Sequence, residues 1–88
     1  MQDWEKIKTG FVIMLENGEY VWDILANGHP EKPVIYRTKY LWEAKAYKTM
    51  KGALKASDRV RAQAGSGEVW SFTYDETLAK RELVQKCD

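Results

Sequence analysis

Cysteine, histidine, proline and net charge are what this 88-residue chain has least of: one Cys, one His, two Pro and +1 at pH 7. Each scarcity closes a class of explanation. Cys87 alone can form no internal disulfide, so the covalent framework of small secreted domains is absent, and a lone thiol fits a reducing compartment; the expected location is the cytoplasm. Metal and nucleophile constellations need several donors, and His29 and Cys87 stand single and far apart, so neither a metal site nor a cofactor is expected. The opening MQDWEKIKTG mixes acids with bases and lacks the apolar run of a secretory leader. No stretch approaches the roughly 20 apolar residues of a membrane span either. The expectation is a soluble protein that stays where it is made and engages no membrane. A charge near zero excludes a strongly acidic DNA mimic and a strongly basic nucleic-acid coat, so only local charge can matter.

What the chain does have is rings. Four Trp, five Tyr and two Phe are many for this length, and large rings bury much area per residue, which offsets the poor surface-to-volume ratio of a small domain. The expectation is one domain over residues 1–88, with residues 1–9 either a loose lead-in or a short turn of helix that pins Trp4.

Pattern and caps agree best over YKTMKGALKASDRVRAQAG. Thr49 can cap a helix running to about Gln63, and Gly65 and Gly67 end it. Met50, Ala53, Leu54, Ser57 and Val60 share one helical face, and Lys51, Lys55 and Arg59 the opposite one. Upstream, FVIMLENGEYVWDI reads as a hairpin whose Asn17-Gly18 pair suits a two-residue type I′ turn. That turn sets Leu15 opposite Tyr20, Ile13 opposite Trp22 and Phe11 opposite Ile24, all on one apolar face, with Val12, Met14 and Val21 on the other. ANGHPEKP is a loop, and VIYRT, Val34 to Thr38, a further strand. Tyr40 to Lys48 fits either a backward extension of the helix or a turn and short strand; the second is preferred, because Thr49 is a better cap than interior residue. EVWSFTYD alternates strictly and places Trp70, Phe72 and Tyr74 on one strand face. Asp75 then caps a short C-terminal helix over 75–88 with a thin apolar edge of Leu78, Val84 and Cys87. Together these predict an α+β fold: an antiparallel sheet of about four strands, one amphipathic helix on one face close to the rings of Tyr20, Trp22 and Trp70, and the terminal helix.

The runs FVI, NGEYV, WEAKAYKTMKGALKASDRV and EVWSF together resemble a loosely related set of small phage and prophage proteins of unknown function. Their plan is an Asn-Gly hairpin, a segment of the form A-K-x-aromatic-K-T, a helix with an early Ala, and a closing strand. Ala44 to Thr49 and Ala53 fit it, and the likeness covers roughly residues 10–74. It departs at the additional strand Val34 to Thr38 and the charged C-terminal segment. The resemblance implies viral or prophage origin and supplies no catalytic residue.

Searches for chemistry end in structural readings. Gly65-Ser66-Gly67 follows a helix, whereas a phosphate cradle precedes one, so it is a terminator. Glu16 and Glu19 flank a solvated turn, where no burial shifts a carboxyl toward acid-base work. No enzyme is expected. Two features rise above this. One is the basic row Lys48, Lys51, Lys55 and Arg59, with no acid from Lys45 to Ser57: either a solvated face, or a contact for phosphates or an acidic protein surface. The other is apolar surface beyond what one helix covers, Trp4, Tyr36, Tyr40 and Trp42 together with Val12, Met14 and Val21 of the second sheet face, which the terminal segments close or a partner does. The expected function is a non-catalytic module binding a host or phage protein, through these rings and cations. The alternative is a nucleic-acid accessory protein using the basic row. Monomer and homodimer both remain open, the latter by strand-edge pairing.

Overall fold

A computed structural model describes residues 9–25 and 34–87. Trp4, the loop around His29 and most of the lead-in lie outside the described residues. The chain runs β1 (Thr9–Met14), β2 (Tyr20–Leu25), β3 (Val34–Thr38), a 3₁₀ turn (Leu41–Glu43), α1 (Met50–Ala64), β4 (Glu68–Asp75) and β5 (Lys80–Lys86). The five strands form one antiparallel sheet in the order β3-β2-β1-β4-β5. The class is α+β as expected, with five strands where about four were expected.

The helix forms where its caps place it. Thr49 Oγ1 accepts from Gly52 N at 3.1 Å, and Gly65, at φ 82°, closes the other end with its N–H on Arg61 O, a left-handed conformation that costs glycine little. The buried stripe is narrower than the wheel suggested. Ala53, Ser57 and Val60 are fully buried, Leu54 is half-buried, and Met50 is 43 % exposed. Small residues at the centre bring the helix close to the sheet, and Ala56 and Ala64 join the contact in place of Met50.

The first hairpin corrects the expected register. Gly18 N bonds Leu15 O at 3.0 Å and Leu15 N bonds Glu19 O at 2.7 Å, so Glu16, Asn17 and Gly18 make the loop, and only Gly18 takes positive φ. Met14, not Leu15, therefore sits opposite Tyr20. A one-residue slip moves a whole strand to the other face. Val21 joins Ile13, Leu15 and Val60 under the helix, while Tyr20 and Trp70 pack with Val12 and Phe72 on the far side. The same slip puts Trp22, next after Val21, on the outer face, so it is not a core ring, and a bulge between Val21 and Asp23 then returns Ile24 to the helix side.

Past Met14 and Tyr20 the two strands part, and the connector enters the gap. Lys45 N donates to Val21 O at 3.0 Å on one flank; on the other, Tyr47 and Phe11 exchange both backbone bonds at 2.8 and 2.9 Å. The chain thereby crosses the sheet: Leu41 and Ala44 pack on the Val12 and Phe72 side, Tyr47 on the helix side. Gly10 stands at this seam, where a Cβ would lie 2.9 Å from the Phe72 ring and 3.1 Å from Tyr47 O. The ambiguous segment before Thr49 is thus a turn followed by a single bridge.

The C-terminal helix is replaced by β5. Asp75 does cap, its Oδ1 accepting from Thr77 N at 2.8 Å and Leu78 N at 3.1 Å, but it caps a turn that Ala79 closes at φ 53°. The free edge of β4 offers a ladder that outweighs local helix propensity, and Arg81 and Leu83 point inward from it. Arg81 is 6 % exposed, its guanidinium 4.9 Å from the Phe72 ring centroid, and its Nη1 donates to Leu41 O at 3.0 Å and Ala44 O at 2.7 Å. The connector is clasped to the sheet through that side chain. Burial holds the Arg81 pKa below the usual guanidinium value, with the nearby Tyr74 opposing.

Candidate functional site

Two surfaces carry the residues singled out in the sequence, and the sheet separates them. On the side away from α1, Tyr40 and Trp42 are each 57 % exposed, their ring centroids 5.9 Å apart and their planes 30° from parallel. Leu41 and Ala44, anchored in the Val12 and Phe72 cluster, fix the backbone that carries them. Thr38 ties the turn back to β3: its hydroxyl donates to Glu43 Oε1 at 2.5 Å and accepts from Tyr40 N at 3.1 Å. Tyr36, two residues before Thr38 on the same strand face, meets Trp22 edge-on at 5.9 Å and 89°. Ile35, one residue before Tyr36, packs on the helix side. Tyr36 thus pairs with Trp22 and Tyr40 with Trp42, and Thr38 links the two segments that carry the pairs.

The hairpin register explains why Trp22 was not foreseen. Strict alternation from a two-residue turn assigned it to the core, and neither the longer loop nor the bulge has a sequence marker beyond the Gly at Gly18.

No known protein family, curated protein or solved structure matches this chain. Its surfaces must therefore be interpreted from their own chemistry.

On the helix side, Lys48, Lys51, Lys55 and Arg59 are all exposed, and none forms an ion pair among the described residues. Other cations do: Lys45 lies 3.7 Å from Asp23, Arg61 3.9 Å from Asp58, Lys80 3.5 Å from Glu82 and Lys86 3.0 Å from Glu68. Arg59 also acts on Tyr47. Burial, and then the Asp23 carboxylate, push the Tyr47 phenol up to about 12, and Arg59 partly opposes them.

Among the described residues no group of three or more His, Cys, Asp or Glu side chains is placed to hold a metal ion. Two depressions, of about 430 Å³ beside Thr73, Asp75 and Glu82 and about 360 Å³ beside Asn17, Arg37 and Ser66, lie at turns and open to solvent. No described helix is long and apolar enough to cross a membrane.

Proposed function

We propose that this protein is a non-catalytic binding module that docks another protein through the rings of Trp22, Tyr36, Tyr40 and Trp42. One observation carries the reading: four large rings, 39 to 57 % exposed, stand in two contacting pairs on one side of a domain whose core residues are 0 to 4 % exposed. Trp and Tyr dominate the energetics of protein contacts, and rings already held by neighbours lose little entropy on docking. An apolar patch of this kind on a small protein marks an interaction surface. The likeness of residues 10–74 to phage and prophage proteins supplies a specific form, occupation of a surface on a host defence or replication factor.

The test is comparative capture. Wild type and a Tyr36→Ala/Tyr40→Ala/Trp42→Ala variant, matched for folding by circular dichroism, are immobilised and exposed to host lysate. A protein held by the first and released by the second is then purified and titrated by calorimetry. Hot-spot rings contribute about 2 kcal/mol or more each, so the variant's Kd should be weaker by at least about 100-fold. Equal retention by both, or equal Kd values for the purified partner, defeats the reading.

A further inference from the structure

We infer that the outer face of α1 is a second, independent docking surface, and that it takes the phosphate backbone of a nucleic-acid duplex. The first support is charge segregation. Residues 34–59 carry seven Lys and Arg against two acids, a net +5, so the rest of the chain is net −4. Of those two acids, Glu43 is engaged by Thr38 and Asp58 by Arg61. Among the described residues no carboxylate lies within ion-pair distance of the row's cations.

The second support is that the row works against the helix that bears it. Lys51, Lys55 and Arg59 repeat at i, i+4, a like-charge arrangement that destabilises a helix. Lys48 and Lys51 also sit at the positive end of the helix dipole, where acids are favoured, and the first turn has none. An anion laid along the row relieves both conflicts.

The third is what surrounds the cations. The exposed helix positions beside them are Asp58, Arg61, Ala62 and Gln63, with Met50 alone as a large apolar neighbour. A protein interface needs an apolar centre and a membrane-surface helix an apolar face, and this surface offers neither. Phosphate contact needs only charge and reach. At 1.5 Å per residue, Lys51 to Arg59 spans about 12 Å, comparable with the width of the major groove, so the two ends of the row can meet phosphates on its two rims. Because the stacking rings lie across the sheet, duplex rather than single strand is the fitting form.

The experiment is fluorescence anisotropy with a labelled 20-base-pair DNA duplex of arbitrary sequence, titrated with the full chain from 25 to 200 mM salt. Four neutralised phosphates give a slope of about −3.6 in log K against log salt. Lys51→Glu/Lys55→Glu should lose at least 30-fold in affinity at 50 mM salt while raising Tm by about 2 to 4 °C, since an acid in the first turn suits the helix dipole and the second substitution makes the contact with Arg59 attractive, although positions 51 and 55 stay alike in charge. Lys80→Glu/Lys86→Glu, with the same change in net charge, should lose less than 5-fold. Tyr40→Ala/Trp42→Ala should leave duplex affinity unchanged, which separates this surface from the ring patch. The inference is overturned by no binding at 25 mM salt, by equal losses in both Glu variants, by a tighter single-strand complex that the ring variant abolishes, or by tighter capture on polyglutamate or phosphatidylserine vesicles.

Discussion

The two faces of the sheet are closed by different means. Under α1 the closure is apolar: Ala53, Ser57 and Val60 rest on Ile13, Leu15 and Val21, and Ser57 turns its hydroxyl back to Leu54 O at 2.9 Å. On the other face an irregular connector does the covering, and it is tied by Arg81, Thr38 and Lys45. The difference follows from backbone accounting. A helix satisfies its own interior amides and carbonyls, so it can cover a sheet with side chains alone. A connector brings carbonyls with no partner of their own, and buried carbonyls need donors. The connector face therefore requires a buried arginine, and the helix face requires only small residues.

The sharpest way to break that contrast is Arg81→Met. The methionine keeps most of the volume over Phe72 but leaves Ala44 O without its donor and Leu41 O with the Ala44 N–H alone. Stability should fall by about 3 kcal/mol in urea denaturation, because a buried acceptor that loses a charged donor costs about 1 to 3 kcal/mol. Exposure of Trp42 and Tyr40 should rise with it, read as a red shift in Trp emission. A loss under 1 kcal/mol would show that apolar packing alone holds the connector.

Next in size is the seam between the faces. Gly10→Ala puts a methyl 2.9 Å from the Phe72 ring, which is 1 % exposed and has nowhere to go. Overpacking of this kind costs about 1 to 3 kcal/mol, and about 2 is expected here. Phe72→Leu added to it should return part of the loss, so the double variant should be more stable than the summed single effects. Additive losses would mean that the seam does not depend on that contact.

How much of this was legible in the sequence divides along the same line. The helix and its ends were readable because Thr49 and Gly65 act locally, and so were the strands Val34 to Thr38 and Glu68 to Asp75. What failed depended on neighbours distant in the chain. Asn17-Gly18 permits both a two-residue turn and a longer loop with Gly18 as the bulge, and the packing of Val21 beneath Val60 selects the latter. Residues 76–86 have good helix propensity, and only the free edge of β4 and the carbonyls awaiting Arg81 make the last of them a strand. The exposed rings were identified at Tyr36, Tyr40 and Trp42 as apolar surplus, whereas Trp22 was hidden by the two-residue turn that Asn17-Gly18 suggests. The basic row was readable as a row. That nothing in the described fold pairs with it was not.

The smallest expected effect lies at the crossing point itself. Tyr47 passes between the faces, and burial first, then Asp23, raise its phenol from 10.0 to about 12, with Arg59 acting in the opposite direction. In the unfolded chain the phenol titrates near 10, so the folded state holds its proton more tightly. That advantage is fully present below pH 10 and is lost as pH climbs through 10 to 12, since deprotonation of the folded seam places an anion beside Asp23 in a desolvated site. Midway, at pH 11, the loss attributable to this one group should be on the order of 1 kcal/mol. Urea midpoints for wild type and Tyr47→Phe at pH 9 and pH 11 isolate it, because every other side chain is common to both. Wild type should decline more steeply than the variant, and Arg59→Gln, which removes an opposing charge, should move the tyrosinate absorbance midpoint higher still. Parallel declines would mean that the seam is open to water, and with it the separation of the two faces on which the ring patch and the cation row both depend.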